Sequence, residues 1–265
     1  MEFCSPNLPS KKVNTVIISG EYKYVIDELN NLGVNAVATT PNIFLPYPER
    51  YHADMQCIYY NKGKIYISNS GNAYNAIFVK KLTNIGIKIN TTNKTLNPKY
   101  PGNILFNHVI LNNDIICNIK YTERNVLKYC EKQNFRIINV NQGYTKCSIA
   151  VVNDDAIITS DNGIFYTCKK YGFDVLKIQP GYVMLPNYNY GFIGGCCGKL
   201  SHDTLAFTGK ISEHPDYKKI KAFLHNYRIN ILELSNKPLL DIGSIIPVTQ
   251  ESDYKIPTHE TQQLD

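Results

Sequence analysis

Five short polar segments hold the residue types that could do chemistry. His52-Ala53-Asp54 sets an imidazole and a carboxylate two positions apart. On one face of an extended strand such a pair moves a proton or holds a ligand, and it serves equally well as a structural hydrogen bond. Lys146-Cys147-Ser148 puts a thiol beside an ammonium. A nearby cation favours the nucleophilic thiolate, although a small thiol at the start of a strand also packs as core. Asp241-Ile242-Gly243-Ser244 carries a carboxylate that either grips a cation or caps the Gly243 turn. Asn107-His108 and the glycine-flanked Cys196-Cys197 add an amide, a second imidazole and two thiols, the pair of thiols reading also as a tight backbone site. The catalytic candidates are Cys147, His52 and Asp54. The candidates for holding a ligand are Asn107, Lys146, Cys197, Asp241 and Ser244. These residues are scattered along the chain, so only the fold can assemble them.

The elements that must position them repeat. From Gln142 to Ile178 the chain reads as a polar hinge, a hairpin of Ile149–Val152 with Ala156–Thr159, a short helix from Ile164 ended by Gly172, and a return strand from Phe173. Looser copies have return strands starting at Val34, Ile87, Phe135 and Ile229, at intervals of roughly 40 to 55 residues, as in propellers and solenoids. In the third copy Thr122 reads as the helix N-cap. The first copy lacks its opening strand, and Asp241–Val248 at the other end supplies one. That split favours a closed ring over a linear stack, because a stack has no use for it. In a ring the five hinges share one radius and height. His52 and Asp54, Asn107 and His108, Lys146 to Ser148, Cys196 and Cys197, and Asp241 with Ser244 then converge on one mouth of a central channel. The expected architecture is α/β, a five-bladed α/β propeller of strand-strand-helix-strand units over residues 13–249. Residues 1–12 form a surface arm and 250–265 a polar tail.

The 265 residues include eight cysteines and carry a formal charge of +6 spread along the chain. No apolar run approaches the length of a membrane helix, and Met1 to Pro6 lacks the basic and apolar regions of a secretory signal. The expectation is a cytoplasmic protein with reduced thiols. Cys57, Cys117, Cys130 and Cys168 fall within apolar patterns and read as core. No Cys-x-x-Cys pair or paired-His spacing occurs, so neither a metal site nor a cofactor is called for. The lysine doublets lie apart and read as solvated surface, which argues against nucleic acid, while the polar groups and carboxylates of the hinges make a small polar or cationic molecule the expected partner. Oligomeric state is not legible.

The repeat, with His52-Ala53-Asp54-Met55-Gln56, Gly143-Tyr144-Thr145-Lys146-Cys147-Ser148, Gly194-Gly195 and Asp241-Ile242-Gly243-Ser244-Ile245-Ile246-Pro247, resembles an uncharacterised bacterial family with the guanidino-group-modifying-enzyme, or pentein, fold. The wider superfamily includes arginine and agmatine deiminases, dimethylarginine hydrolases and amidinotransferases. The resemblance implies a Cys that attacks a guanidinium carbon, a His that moves protons, and carboxylates that hold the flat cation. Those enzymes carry the Cys in the last loop; here that loop has none, and Cys147 is the replacement candidate. The implied activity is hydrolysis or amidino transfer on a small guanidino or amidine compound. The alternatives are a non-catalytic small-molecule-binding propeller and a ribosome-associated protein, since the superfamily also includes an initiation factor.

Overall fold

A computed structural model describes residues 1–68 and 73–252, apart from the side chains of residues 73–75. The chain opens with β1 (Glu2–Phe3), β2 (Val13–Ile18), α1 (Lys23–Asn31) and β3 (Asn35–Ala38). A one-turn helix, α2 (Ala53–Gln56), then leads into β4 (Cys57–Asn61), β5 (Lys64–Ser68), α3 (Ala73–Asn84) and β6 (Lys88–Thr92). The third unit is β7 (Val109–Leu111), β8 (Asp114–Cys117), α4 (Arg124–Lys132) and β9 (Arg136–Asn139). The fourth is α5 (Thr145–Ser148), β10 (Ala150–Val151), β11 (Ala156–Thr159), α6 (Asn162–Lys170) and β12 (Asp174–Lys177). The fifth is β13 (Cys197–Ser201), β14 (Thr204–Phe207), α7 (Tyr217–Asn226) and β15 (Asn230–Glu233), and β16 (Ile246–Gln250) is the last strand among the described residues.

Each unit is one small sheet. The first strand pairs antiparallel with the second, and the second pairs parallel with the third across the helix, as in β4–β5–β6 with Ile58 opposite Tyr66 and Ile65 opposite Ile89. In the first unit the antiparallel strand comes from the other end of the chain. β16 pairs with β2, Ile246 opposite Ile17, so the expected split blade is present.

Ring closure follows from the strand period. Side chains alternate across a strand, so the middle strand of each sheet is apolar on both faces and feeds two neighbours. Ile17 packs with Cys57 and Ile67 of the second unit, while Val16 and Ile18 pack with Leu200 and Ala206 of the fifth. Three further clusters join units two with three, three with four, and four with five. Five interfaces between five sheets make a closed α/β propeller, as expected. Cys57, Cys117, Cys130 and Cys168 are buried in these clusters.

Three local expectations are corrected. The hinges before β4 and β10 are single helical turns, so Asp54 and Cys147 project from α2 and α5 rather than from extended strands. The cap of α4 is Glu123, whose carboxylate accepts from the Asn125 backbone N–H, and Thr122 instead bonds back to the Asn118 carbonyl. The N-terminal arm does not simply lie on the surface. β1 pairs with β16, Cys4 is fully buried, and the Asn7 amide donates to the Ile110 carbonyl. Of the expected polar tail, Gln250 is buried in β16, and residues 253–265 lie outside the described residues.

Candidate active site

Cys147 sits on α5 because Asn107, from the loop before β7, clamps that turn. The Asn107 Oδ1 accepts from the backbone N–H of Lys146 at 2.7 Å and of Cys147 at 3.2 Å, and its Nδ2 donates to Cys147 Sγ at 3.0 Å. The thiol in turn donates to Asp54 Oδ2, 3.2 Å away on α2. Asp54 Oδ2 also lies 2.6 Å from Ser244 Oγ, and Ser244 accepts from Lys146 Nζ at 3.2 Å. One network thus joins Asn107, Lys146, Cys147, Asp54 and Ser244, contributed by four separate loops.

Two glycines make the approach of these loops possible. A Cβ on Gly194 would meet the backbone of Lys146 and Ile149, and one on Gly195 would fall on the Asp241 carboxylate. With both absent, Asp241 is held by the backbone N–H groups of Phe192 (2.9 Å) and Gly243 (3.0 Å). Its Oδ1 stands 3.9 Å from His52 Nδ1, while His52 Nε2 is buried without a partner. Ser244 is held at a left-handed φ of 70°, which is sparsely populated for a side chain other than glycine.

Above this floor opens a cavity of about 270 Å³. His52, Met55, Cys147 and Asp241 reach it from below, and Glu49, Tyr144, Leu185, Tyr188, Asn189, Tyr190 and Phe192 form the wall and rim. Glu49 is 3% exposed and accepts from Tyr188 OH at 2.8 Å and from Asn103 Nδ2 at 2.9 Å. Tyr144 and Phe192 stack with their ring centres 5.9 Å apart. Glu49 and the aromatic wall were not picked out from sequence. The available signal was the long proline-containing connection of residues 39–51, a loop length that often marks function when ordered.

Electrostatically the site is carboxylate-rich, and its carboxylate, imidazole and thiol side chains are buried. Burial raises Asp241 to about 6, and it also raises Glu49 and Asp54 above the ordinary carboxylate range. Burial lowers His52, against the pull of Asp54 and Glu49, so the imidazole is neutral at pH 7. The Cys147 thiol is pushed well above 9, first by burial and then by the charges of Asp54 and Asp241. Without a ligand the sulfur is therefore a protonated donor. A cation entering the cavity would oppose the rise of Glu49 and Asp241, which line it, and would favour the thiolate.

The remaining sequence candidates lie apart from the cavity. Cys197 packs between the fourth and fifth sheets, its thiol pushed up to about 12 by burial. Lys146 lies beneath the floor, where with Asn7 it borders two very small voids. His108 borders one of these with Asp54, fully buried, both ring nitrogens unpartnered and its pKa lowered to about 3 by burial. Among the described residues no group of three His, Cys, Asp or Glu side chains is placed to hold a metal ion, and no helix is long and apolar enough to cross a membrane.

Comparison with solved structures gives the same architecture at low identity. The inosamine-phosphate amidinotransferase of Streptomyces griseus superposes with a TM-score of 0.59 at 9% identity, covering 96% of this chain and 99% of that one. The agmatine deiminase of C. jejuni gives 0.54 at 10% identity, covering 94% and 97%. DDAH from Pseudomonas aeruginosa, in a complex with citrulline, gives 0.54 at 9%, covering 90% and 100%. At these identities the likeness establishes the pentein fold. No curated protein matches the sequence. The model of a family of unknown function, DUF6873, matches residues 17–246, and the chain belongs to that family.

Proposed function

We propose that the chain acts on a small molecule bearing a guanidinium or amidinium group, bound in the cavity above Cys147. The observation that carries this reading is the convergence on one cavity of a thiol, an unpartnered imidazole nitrogen and the buried carboxylates of Glu49 and Asp241. A flat cation suits such a site, because carboxylates grip it in its plane and aromatic rings cover its faces. In this reading Glu49 and Asp241 hold the cation, and its charge draws the Cys147 proton away to His52. The thiolate forms a bond to the guanidinium carbon, and one C–N bond breaks as the departing amine takes a proton from His52. Water or a second amine then displaces sulfur, giving a ureido product or a transferred amidino group.

The test compares two alkylating agents that differ in charge. Chloroacetamidine is a flat cation, and chloroacetamide is its neutral counterpart with the same leaving group. At neutral pH the cation is expected to modify Cys147 at least roughly tenfold faster, since steering and desolvated pairing favour the matched charge. Equal rates overturn the reading. Ammonia release or amidino transfer from agmatine, abolished in Cys147→Ser, is the expected catalytic result.

One observation favours a second reading, that of a binder without turnover. The thiol is fully engaged between Asn107 and Asp54 and its proton is held tightly. Cation-dependent labelling without any product from agmatine would select it.

A further inference from the structure

The charge distribution around the cavity points to a narrower ligand class, an inference that rests on the reading above. We infer that the cavity takes guanidinium or amidinium compounds whose tails carry no carboxylate, the tail being neutral or bearing a second amine. Arginine and other α-amino acids are thereby excluded.

The floor and one wall supply two buried carboxylates, Asp241 and Glu49. Beyond them the space for a tail is bounded by Leu185, Tyr188, Asn189, Tyr190 and Phe192, all from the connection between β12 and β13. From Ile178 to Gly198 the sequence contains no charged residue at all. Among the described residues, neither a lysine nor an arginine lines the cavity. Lys146 lies under the floor, within hydrogen-bond distance of Ser244 Oγ. An amino acid seated by its guanidinium would bring its carboxylate into a mouth that has no cation to meet it. It would also lie on the side of two carboxylates of like sign, which repel it. A second ammonium meets the opposite situation. The rings of Tyr188 and Tyr190, 44% and 42% exposed at the rim, present faces that attract a cation. A hydrophobic spacer is equally at home against Leu185 and Phe192.

The experiment measures protection of Cys147 against chloroacetamidine by three ligands: agmatine, argininamide and arginine. Agmatine and argininamide share the guanidinium and spacer of arginine but lack its negative charge. Both are expected to protect at concentrations at least roughly tenfold lower than arginine. Tyr190→Arg, which places a cation at the rim, is expected to improve protection by arginine and weaken that by agmatine. Arginine protecting as well as agmatine, with unchanged ranking in the variant, overturns this inference while the cation-binding reading stands. Failure of all three to protect overturns both.

Discussion

Asp241 occupies the most demanding position of any residue in the site. It is fully buried, accepts two backbone N–H bonds, faces His52 and fills the space left by the missing side chain of Gly195. Its folded-state pKa is raised from 3.8 to about 6, so the folded protein binds this proton more tightly than the unfolded chain does. The contribution to stability is therefore complete below about pH 4 and lost as pH rises through about 6. Glu49 and Asp54 shift in the same direction. Denaturant titrations should show stability falling across that window, and Asp241→Asn should flatten the fall while lowering stability overall, because an amide cannot accept at both of its terminal atoms. Agmatine should reverse the slope, binding more tightly as pH rises through about 6. A variant that keeps the wild-type pH profile would remove Asp241 from this account. Asp54, Cys147, Asp241 and Asn107 were legible as a group because each falls in a hinge of the repeat. Glu49 and Tyr188 lie in irregular connections outside the repeated strand-strand-helix-strand unit, so periodicity carried no information about them. Cys197 was drawn into the group by its neighbouring glycines, yet as the first residue of β13 its side chain turns into the interface between sheets.

Among the elements, the five corners where helix turns into return strand share one backbone solution. Gly33, Gly86, Asn134, Gly172 and Arg228 all adopt a left-handed φ at the equivalent place. Glycine and asparagine do so readily, and Gly172 was visible in the sequence as a helix stop. Arg228 is the exception, an exposed side chain at φ 57° that no propensity rule would select. Its cost, about 1–2 kcal/mol for the left-handed region, exceeds the entropic cost of glycine there, about 0.5–1 kcal/mol. Arg228→Gly should therefore stabilise the protein by roughly 0.5–1 kcal/mol in denaturant unfolding. A neutral or destabilising result would mean that the arginine makes a compensating contact. Strand and helix positions were otherwise readable, since the apolar periods are clear. The one-turn α2 and α5 were not, because four residues are too few to show a helical period, yet these turns set the directions of Asp54 and Cys147.

At the scale of the whole molecule, the ring is sealed twice at its first sheet, by β16 on β2 and by β1 on β16. The arm carrying β1 also borders a small void under the site. Asn7 borders the same small void as Cys57 and His108, and Tyr59 OH donates to the Cys4 carbonyl beneath it. Removing residues 1–10 should open this underside, so that Cys57, 1% exposed in the intact chain, becomes reactive toward iodoacetamide. Unchanged protection of Cys57 would show that the arm is not its cover. The ring itself was inferable from one irregularity, the missing strand of the first unit. The burial of the arm was not, because a segment of two paired residues leaves no pattern to read. Asp241 and the closing strand belong to the same last stretch of chain, Asp241 bonded to Phe192 and Ile246 paired with Ile17, so one segment completes both the site and the ring. Recognition and completion of the circle are consequently one event. A growing chain has its thiol long before it has a place to use it. Once the circle is complete, a guest gripped as proposed by Glu49 and Asp241 would tie the last stretch of chain to the first half of the ring and favour the closed form.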